Sequence, residues 1–157
     1  MTIDVRIDDL AHPATRALAA AHLAGMRAGS PPESVHALDL GALSDPAVTV
    51  WSAWIDGDVA GIGALAPLDD RNAELKSFRT ADAHLGRGVA RAVLAAVLAE
   101  ARRRGLDAVW LETGSSQDFL PARRLYAGAG FVECEPFGSY RPDPLSTFMT
   151  LDLRGGR

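Results

Sequence analysis

Cysteine is almost missing from this chain of 157 residues. Cys134 is the only one, which excludes an intrachain disulfide and any metal site built from several cysteines. His84 and Cys134 have no second ligand at a metal-binding spacing, so no metal is expected. Long apolar runs are absent too: none reaches the ~18 residues of a membrane span. The opening Met1-Thr2-Ile3-Asp4-Val5-Arg6 lacks the basic-then-apolar layout of a secretory leader. No membrane partner and a cytoplasmic location are therefore the expectations. Positive charge is not in excess, the net charge being −4. The one basic run, Arg102-Arg103-Arg104, closes a predicted helix, where cations complement the helix dipole, so no nucleic-acid partner is expected. Two phosphate-binding fingerprints are also missing. No Lys-Ser/Thr pair completes a P-loop, and a dinucleotide fingerprint needs glycine where Arg91 stands.

The remaining balance, 48% apolar and 23% charged, is that of a globular protein, and the length suits a single domain over residues 1–157. Residues 2–7 alternate Ile3, Val5 and Ile7 with polar neighbours, the period of a strand. Residues 13–28 read as an alanine-rich helix, broken by Gly29-Ser30-Pro31-Pro32. A second short helix is predicted from a cap near Ser30 through Val35, Leu38 and Leu40. Strands follow at 48–55, 59–65 and 73–80, joined by Asp56-Gly57 and by Asp69-Asp70-Arg71-Asn72. Trp51 and Trp54 fall on opposite faces of the first of these, so at least one packs in the core. A helix over 89–104 carries Val89, Val93, Val97 and Ala101 on one line, with Gly105 as its stop. Residues 108–112 are short and apolar, the profile of a buried parallel strand. Asp118 is expected to cap a further helix with Pro121 in its first turn, and strands at 131–135 and 147–153 close the chain. The pattern predicts a mixed-sheet α/β domain with about four helices.

The junction at residues 74–90 holds the most chemistry. A strand there runs through Gly86 and Gly88 into the long helix, whose first backbone N–H groups lack intrahelical partners and suit a phosphate or pyrophosphate. The strand itself carries Glu74, Lys76, Ser77 and Arg79, where a buried central strand would be apolar. Those charges fit either a half-exposed strand end or the lining of a solvated cleft.

Leu85-Gly86-Arg87-Gly88-Val89-Ala90 resembles the pyrophosphate motif [QR]-x-x-G-x-[GA] of the GNAT superfamily of acyl-CoA N-acyltransferases. Ala122-x-x-Leu125-Tyr126-x-x-x-Gly130-Phe131 resembles that superfamily's A-x-x-L-Y-x-x-x-G-F signature. The stretches around 30–38, 112–115 and 135–150 look more narrowly like the small YsnE-type bacterial acetyltransferases. Two positions depart from the pattern. Leu85 stands where Gln or Arg is common, and Phe119 stands where Asn is common, which suggests apolar packing against the carrier instead.

The resemblance implies the GNAT fold: about seven strands and four helices, with a splayed parallel strand pair formed by residues 73–80 and 108–112. It implies acetyl-CoA as co-substrate, held by Phe78, Arg79, Thr80, Leu85, Gly86, Arg87, Gly88, Val89, Ala90 and Phe119. A backbone N–H near residues 78–80 would polarise the acetyl carbonyl. Glu74 takes the place of the general base and Tyr126 that of the general acid, each with a structural alternative: a paired carboxylate, or a tyrosine that merely satisfies a backbone group. Arg87 and Arg91 would add charge to the amide cradle. Glu33, His36 and Lys76 are candidate acceptor contacts, and Arg79, Lys76 and His36 together would suit an acceptor bearing a carboxylate. The loop at 136–141 either reaches over the acceptor or is a surface turn.

The implied activity is acetyl-CoA-dependent N-acetylation of a primary amine, most simply of a small molecule, by direct transfer in a ternary complex. The alternatives are a non-catalytic acyl-CoA-binding module and a peptide or protein N-terminal acetyltransferase. An edge strand could support a homodimer.

Overall fold

Seven strands form one sheet in the order β1-β2-β3-β4-β5-β7-β6, and the computed structural model describes residues 1–155 of it and its helices. The strands are β1 Asp4–Asp8, β2 Thr49–Ile55, β3 Asp58–Pro67, β4 Asn72–Thr80, β5 Ala108–Gly114, β6 Val132–Glu133 and β7 Ser146–Asp152. The helices are α1 Pro13–Gly29, α2 Leu40–Leu43, α3 Val89–Arg103 and α4 Leu120–Gly128. All neighbours are antiparallel except β4 and β5, the one parallel pair, which the α3 crossover joins. The mixed sheet, the seven strands, the parallel pair and the helix count agree with the sequence reading. No helix among the described residues is long and apolar enough to cross a membrane.

Each face of the sheet is covered by its own apolar cluster. Val89, Val93, Leu94, Val97, Leu98 and Ala101 of α3 meet Trp51, Leu65, Leu75, Val109 and Leu111 on one face, and Tyr126 and Phe131 join them. Leu10, Ala19, Leu43, Val50, Ile62 and Ala64 form the smaller cluster beneath α1 and α2. Trp51 is buried in the first cluster, while Trp54 lies on the other face under His12 and Arg6 and donates its Nε1–H to Ser52 Oγ at 2.8 Å. The Asp56-Gly57 hairpin turn has both central residues at positive φ, the geometry that matches strand twist.

Three local predictions need correction. The second helix does not run from Ser30 to Leu40. Pro32–Ser34 makes a single 3-10 turn, Val35 leaves it extended, and a helix restarts only at Leu40, where the Asp39 carboxylate accepts from Ala42 N. Two prolines and a β-branched residue leave too few donors and too much restraint for a continuous helix. Asp118 does not cap α4: it lies inside a 3-10 turn, Gln117–Phe119, and Phe119 is the residue before the helix, with no side-chain cap. The strand expected at 131–135 shrinks to Val132–Glu133, the two residues in register with β7, after which Cys134 N donates to Phe148 O at 2.9 Å and the chain leaves the sheet.

Candidate active site

Strands β4 and β5 pair only at Asn72–Ala108, Ala73–Val109 and Glu74–Trp110. Beyond Glu74 they diverge, and a wedge opens between them. On its other edge β4 stays paired to β3, but with a bulge: Lys76 pairs with Ala64 and Arg79 with Ile62, so Ser77 and Phe78 together oppose Gly63. Ser77 takes a left-handed φ of 57°, a conformation that costs a non-glycine residue about 1–2 kcal/mol. The bulge turns the Phe78 ring onto Gly63, where a Cβ would stand 2.7 Å from the ring.

Three connected hollows follow the wedge. The inner one, about 130 Å³, is lined by Glu74, Lys76, Glu112, Tyr126, Tyr140 and His36 among others. An outer cavity of about 720 Å³ extends from it past Glu33, His36 and Lys76 to the loop between β6 and β7. A groove of about 610 Å³ leaves on the opposite side, past Phe78, Arg79, Thr80, Leu85, Gly86, Gly88, Val89, Ala90, Arg91 and Phe119. It passes over the start of α3. There Gly88 holds the N-cap at φ 84° without any side-chain cap, whereas His12 caps α1 and Asp39 caps α2. The first amides of α3 are thus left to whatever fills the groove, with Arg91 beside them.

Inside the wedge, the buried Glu74 carboxylate accepts a hydrogen bond from the Tyr140 hydroxyl, and Lys76 Nζ stands 3.4 Å from the same oxygen. Lys76, the chain's single lysine, also donates to Tyr140 Oη at 2.9 Å. Across the wedge, Glu112 accepts from Ser146 Oγ at 2.7 Å. Burial pushes its carboxyl above the usual range, against the Ser146 bond and the charges of His36 and Lys76. Burial, then the charge of Glu112, pushes the Tyr126 phenol well above an ordinary tyrosine. Tyr140 moves the same way through burial and the charge of Glu74. Both phenols are therefore protonated donors at neutral pH. Tyr140 arrives on a loop tied down by Ser34 Oγ donating to Asp143 at 2.5 Å and by the His36 ring, 4.8 Å away edge to face.

Most sequence candidates converge here. Glu74, Lys76 and His36 border both cavities, Glu33 borders the outer one, and Tyr126 borders the inner cavity and the groove. Arg79 lies along the groove, 3.9 Å from Asp82, and not in the cavities that Lys76 and His36 border. Arg87 lies with its guanidinium 3.3 Å from His84 Nδ1 and is not part of the groove lining among the described residues. The loop at 136–141 does reach over the site, bringing Tyr140. Sequence reasoning did not single out Glu112 or the α1 residues His22 and Met26. A glutamate at the end of the apolar run 108–111 was the available signal for Glu112. Nothing in the alanine-rich helix marked His22.

The model of the acetyltransferase (GNAT) family matches residues 15–131. The chain is 50% identical over 149 residues to the uncharacterized N-acetyltransferase YedL of Escherichia coli strain K12, covering 95% of this chain and 94% of that protein. It is 49% identical to the uncharacterized N-acetyltransferase YsnE of Bacillus subtilis strain 168, covering 95% and 99%. Among solved structures, one described as an acyl-CoA N-acyltransferase of Klebsiella pneumoniae superposes with a TM-score of 0.81 at 29% identity, over 97% of this chain and 98% of that one.

Proposed function

The chain belongs to the GNAT family of acetyltransferases, and from that premise we propose that it moves the acetyl group of acetyl-CoA directly to a primary amine of a small molecule. The observation that carries this reading is the wedge itself. One continuous opening joins the glycine-loop groove to the cavity holding Glu74, with Tyr126 on the wall common to both.

The residues present fit the carrier. Gly86 and Gly88, at positive φ, face open space where a side chain would otherwise project, and the uncapped amides of α3 suit a pyrophosphate. Phe78, Arg79, Thr80, Leu85, Val89, Ala90 and Phe119 would line the rest of its length. Arg87 would reach the phosphates from the loop's outer side by a change of rotamer. Bound there, acetyl-CoA supplies the thioester whose acetyl group is transferred.

The chain's own work is threefold. Glu74 accepts the proton of the attacking amine, directly or through water. Tyr126, held protonated by its burial, gives a proton to the leaving thiolate. A backbone N–H of the bulged segment at 78–80 that β3 does not take up would stabilise the charge that develops on the carbonyl oxygen, along the edge that β5 leaves unpaired. Glu33, His36 and Lys76 line the side from which the acceptor enters.

The test is thiol release from acetyl-CoA as a panel of primary amines is added. Amine-dependent release is the expected result. Tight binding of coenzyme A with no amine-dependent release from a broad panel would overturn the transfer reading.

A further inference from the structure

Among the described residues, one buried side-chain nitrogen or oxygen has no hydrogen-bond partner: Nδ1 of His22, on α1. The residue is only 9% exposed. Leaving a buried polar atom unpaired costs about 1–3 kcal/mol, and folded proteins almost always avoid it. Leucine or methionine would pack at this position without that cost. A histidine here points to a partner that the protein itself does not supply.

Its place in the fold indicates which partner. The inner cavity and the groove share six lining residues: His22, Met26, Phe78, Phe119, Ala122 and Tyr126. Any molecule that occupies both hollows passes between them. Four of the six are apolar. The two polar ones, His22 from α1 and Tyr126 from α4, come from different helices. Burial, and then the charge of Arg79, lowers the His22 pKa to about 4, so the ring is a neutral imidazole across the physiological range. A neutral imidazole keeps one N–H to donate and is a suitable electrophile for an oxygen that is gaining negative charge.

We propose that His22 donates an imidazole N–H to the carbonyl oxygen of the acetyl thioester, as a second electrophilic group beside the backbone amides of the β4 bulge. The inference rests on the acetyl-transfer reading and names a further catalytic residue within it. The proton is shared and not transferred, so His22 leaves the reaction in the state in which it entered. His22 and Tyr126 then divide the polar work of the throat: His22 serves the carbonyl oxygen and Tyr126 the sulfur.

The experiment uses acetyl-CoA labelled with ¹³C at the carbonyl, bound to wild type, His22→Leu, His22→Asn and His22→Gln in the absence of amine. A hydrogen bond to the carbonyl displaces its resonance downfield. Wild type is expected to show that displacement and His22→Leu to lose most of it, while both bind unacylated coenzyme A within about twofold, since that ligand lacks the carbonyl. In turnover, His22→Leu should lower kcat by about 10²–10³-fold, the usual cost of one such donor. The better placed of the two amide variants should recover at least about tenfold of that loss, because an amide N–H restores the donor. A displacement that survives in His22→Leu would overturn the proposal, as would a loss confined to the KM of the amine or amide variants no better than leucine. Should His22→Leu fail to fold, the same comparison runs between the two amide variants and His22→Phe. Wild type that binds no acetyl-CoA would bring down the acetyl-transfer reading and this inference together. Bound acetyl-CoA whose carbonyl ignores His22 would bring down this inference alone.

Discussion

Glu74 enters the cavity already engaged, holding the Tyr140 hydroxyl and lying beside Lys76. Such a carboxylate is fixed in orientation before an amine arrives, which favours proton transfer along one direction. General-base help of this kind is worth about 10²–10⁴-fold, so Glu74→Gln should lower kcat by that order at neutral pH, with acetyl-CoA affinity little changed. Steady-state kinetics with a reactive amine checks it, and an unchanged kcat would remove Glu74 from the mechanism. Tyr126 makes a different prediction, because burial raises its phenol and keeps it protonated well past neutrality. Raising the pH through the ordinary tyrosine range near ~10 should therefore not produce a loss of rate from Tyr126 ionisation. Tyr126→Phe should slow turnover at every pH while leaving binding of coenzyme A intact. Equal rates for the variant and the wild type would assign the ring to packing alone, where it already meets Phe78 and Phe131 edge-on.

The element on which the site depends is β4. Its first three residues hold β5 in register, its middle bulges at Ser77 and Phe78, and its end feeds the glycine loop. The bulge works because Gly63 on β3 leaves room for the Phe78 ring on one side and Val93 on the other. A methyl group at Gly63 would meet them at 2.7 Å and 2.8 Å. Gly63→Ala should destabilise the fold by about 1–3 kcal/mol, as overpacking does, and should also lower kcat, because Phe78 lines the throat. Denaturant melts and kinetics on the same preparation read both effects. Wild-type stability with wild-type rate would show that the ring relaxes freely and that the bulge does not depend on this glycine.

At the scale of the molecule, two apolar clusters clamp the sheet from opposite faces while one inter-strand seam in its middle is left open. The closed faces allow the open seam, which α1, α3 and α4 border. A ligand lying in that seam touches all three helices and should stiffen the whole domain. Acetyl-CoA at a hundredfold excess over its Kd should add about 2.7 kcal/mol to the unfolding free energy and raise Tm by about 5–11 °C. A thermal melt with and without it is the check, and an unmoved midpoint at saturating ligand would remove the carrier from the groove.

Strand and helix periods, the two glycine-bearing motifs and the charged strand at 73–80 are local patterns, and they were enough to determine the mixed sheet, the family, and Glu74 and Tyr126 as candidates. Local signals failed where competing neighbours decided the outcome: after Pro31-Pro32, at Asp118, and at the two-residue β6. Only the tertiary structure decided the rest. Glu112 faces Glu74 because β5 registers with β4 for three residues and then parts from it, and Tyr140 reaches Glu74 from a loop far along the chain. His22 matters because a helix near the start of the chain packs over the throat that two later elements create. Periodicity tells which face of an element is buried. It carries no information about what that face meets, because that is fixed by contacts between residues distant in sequence.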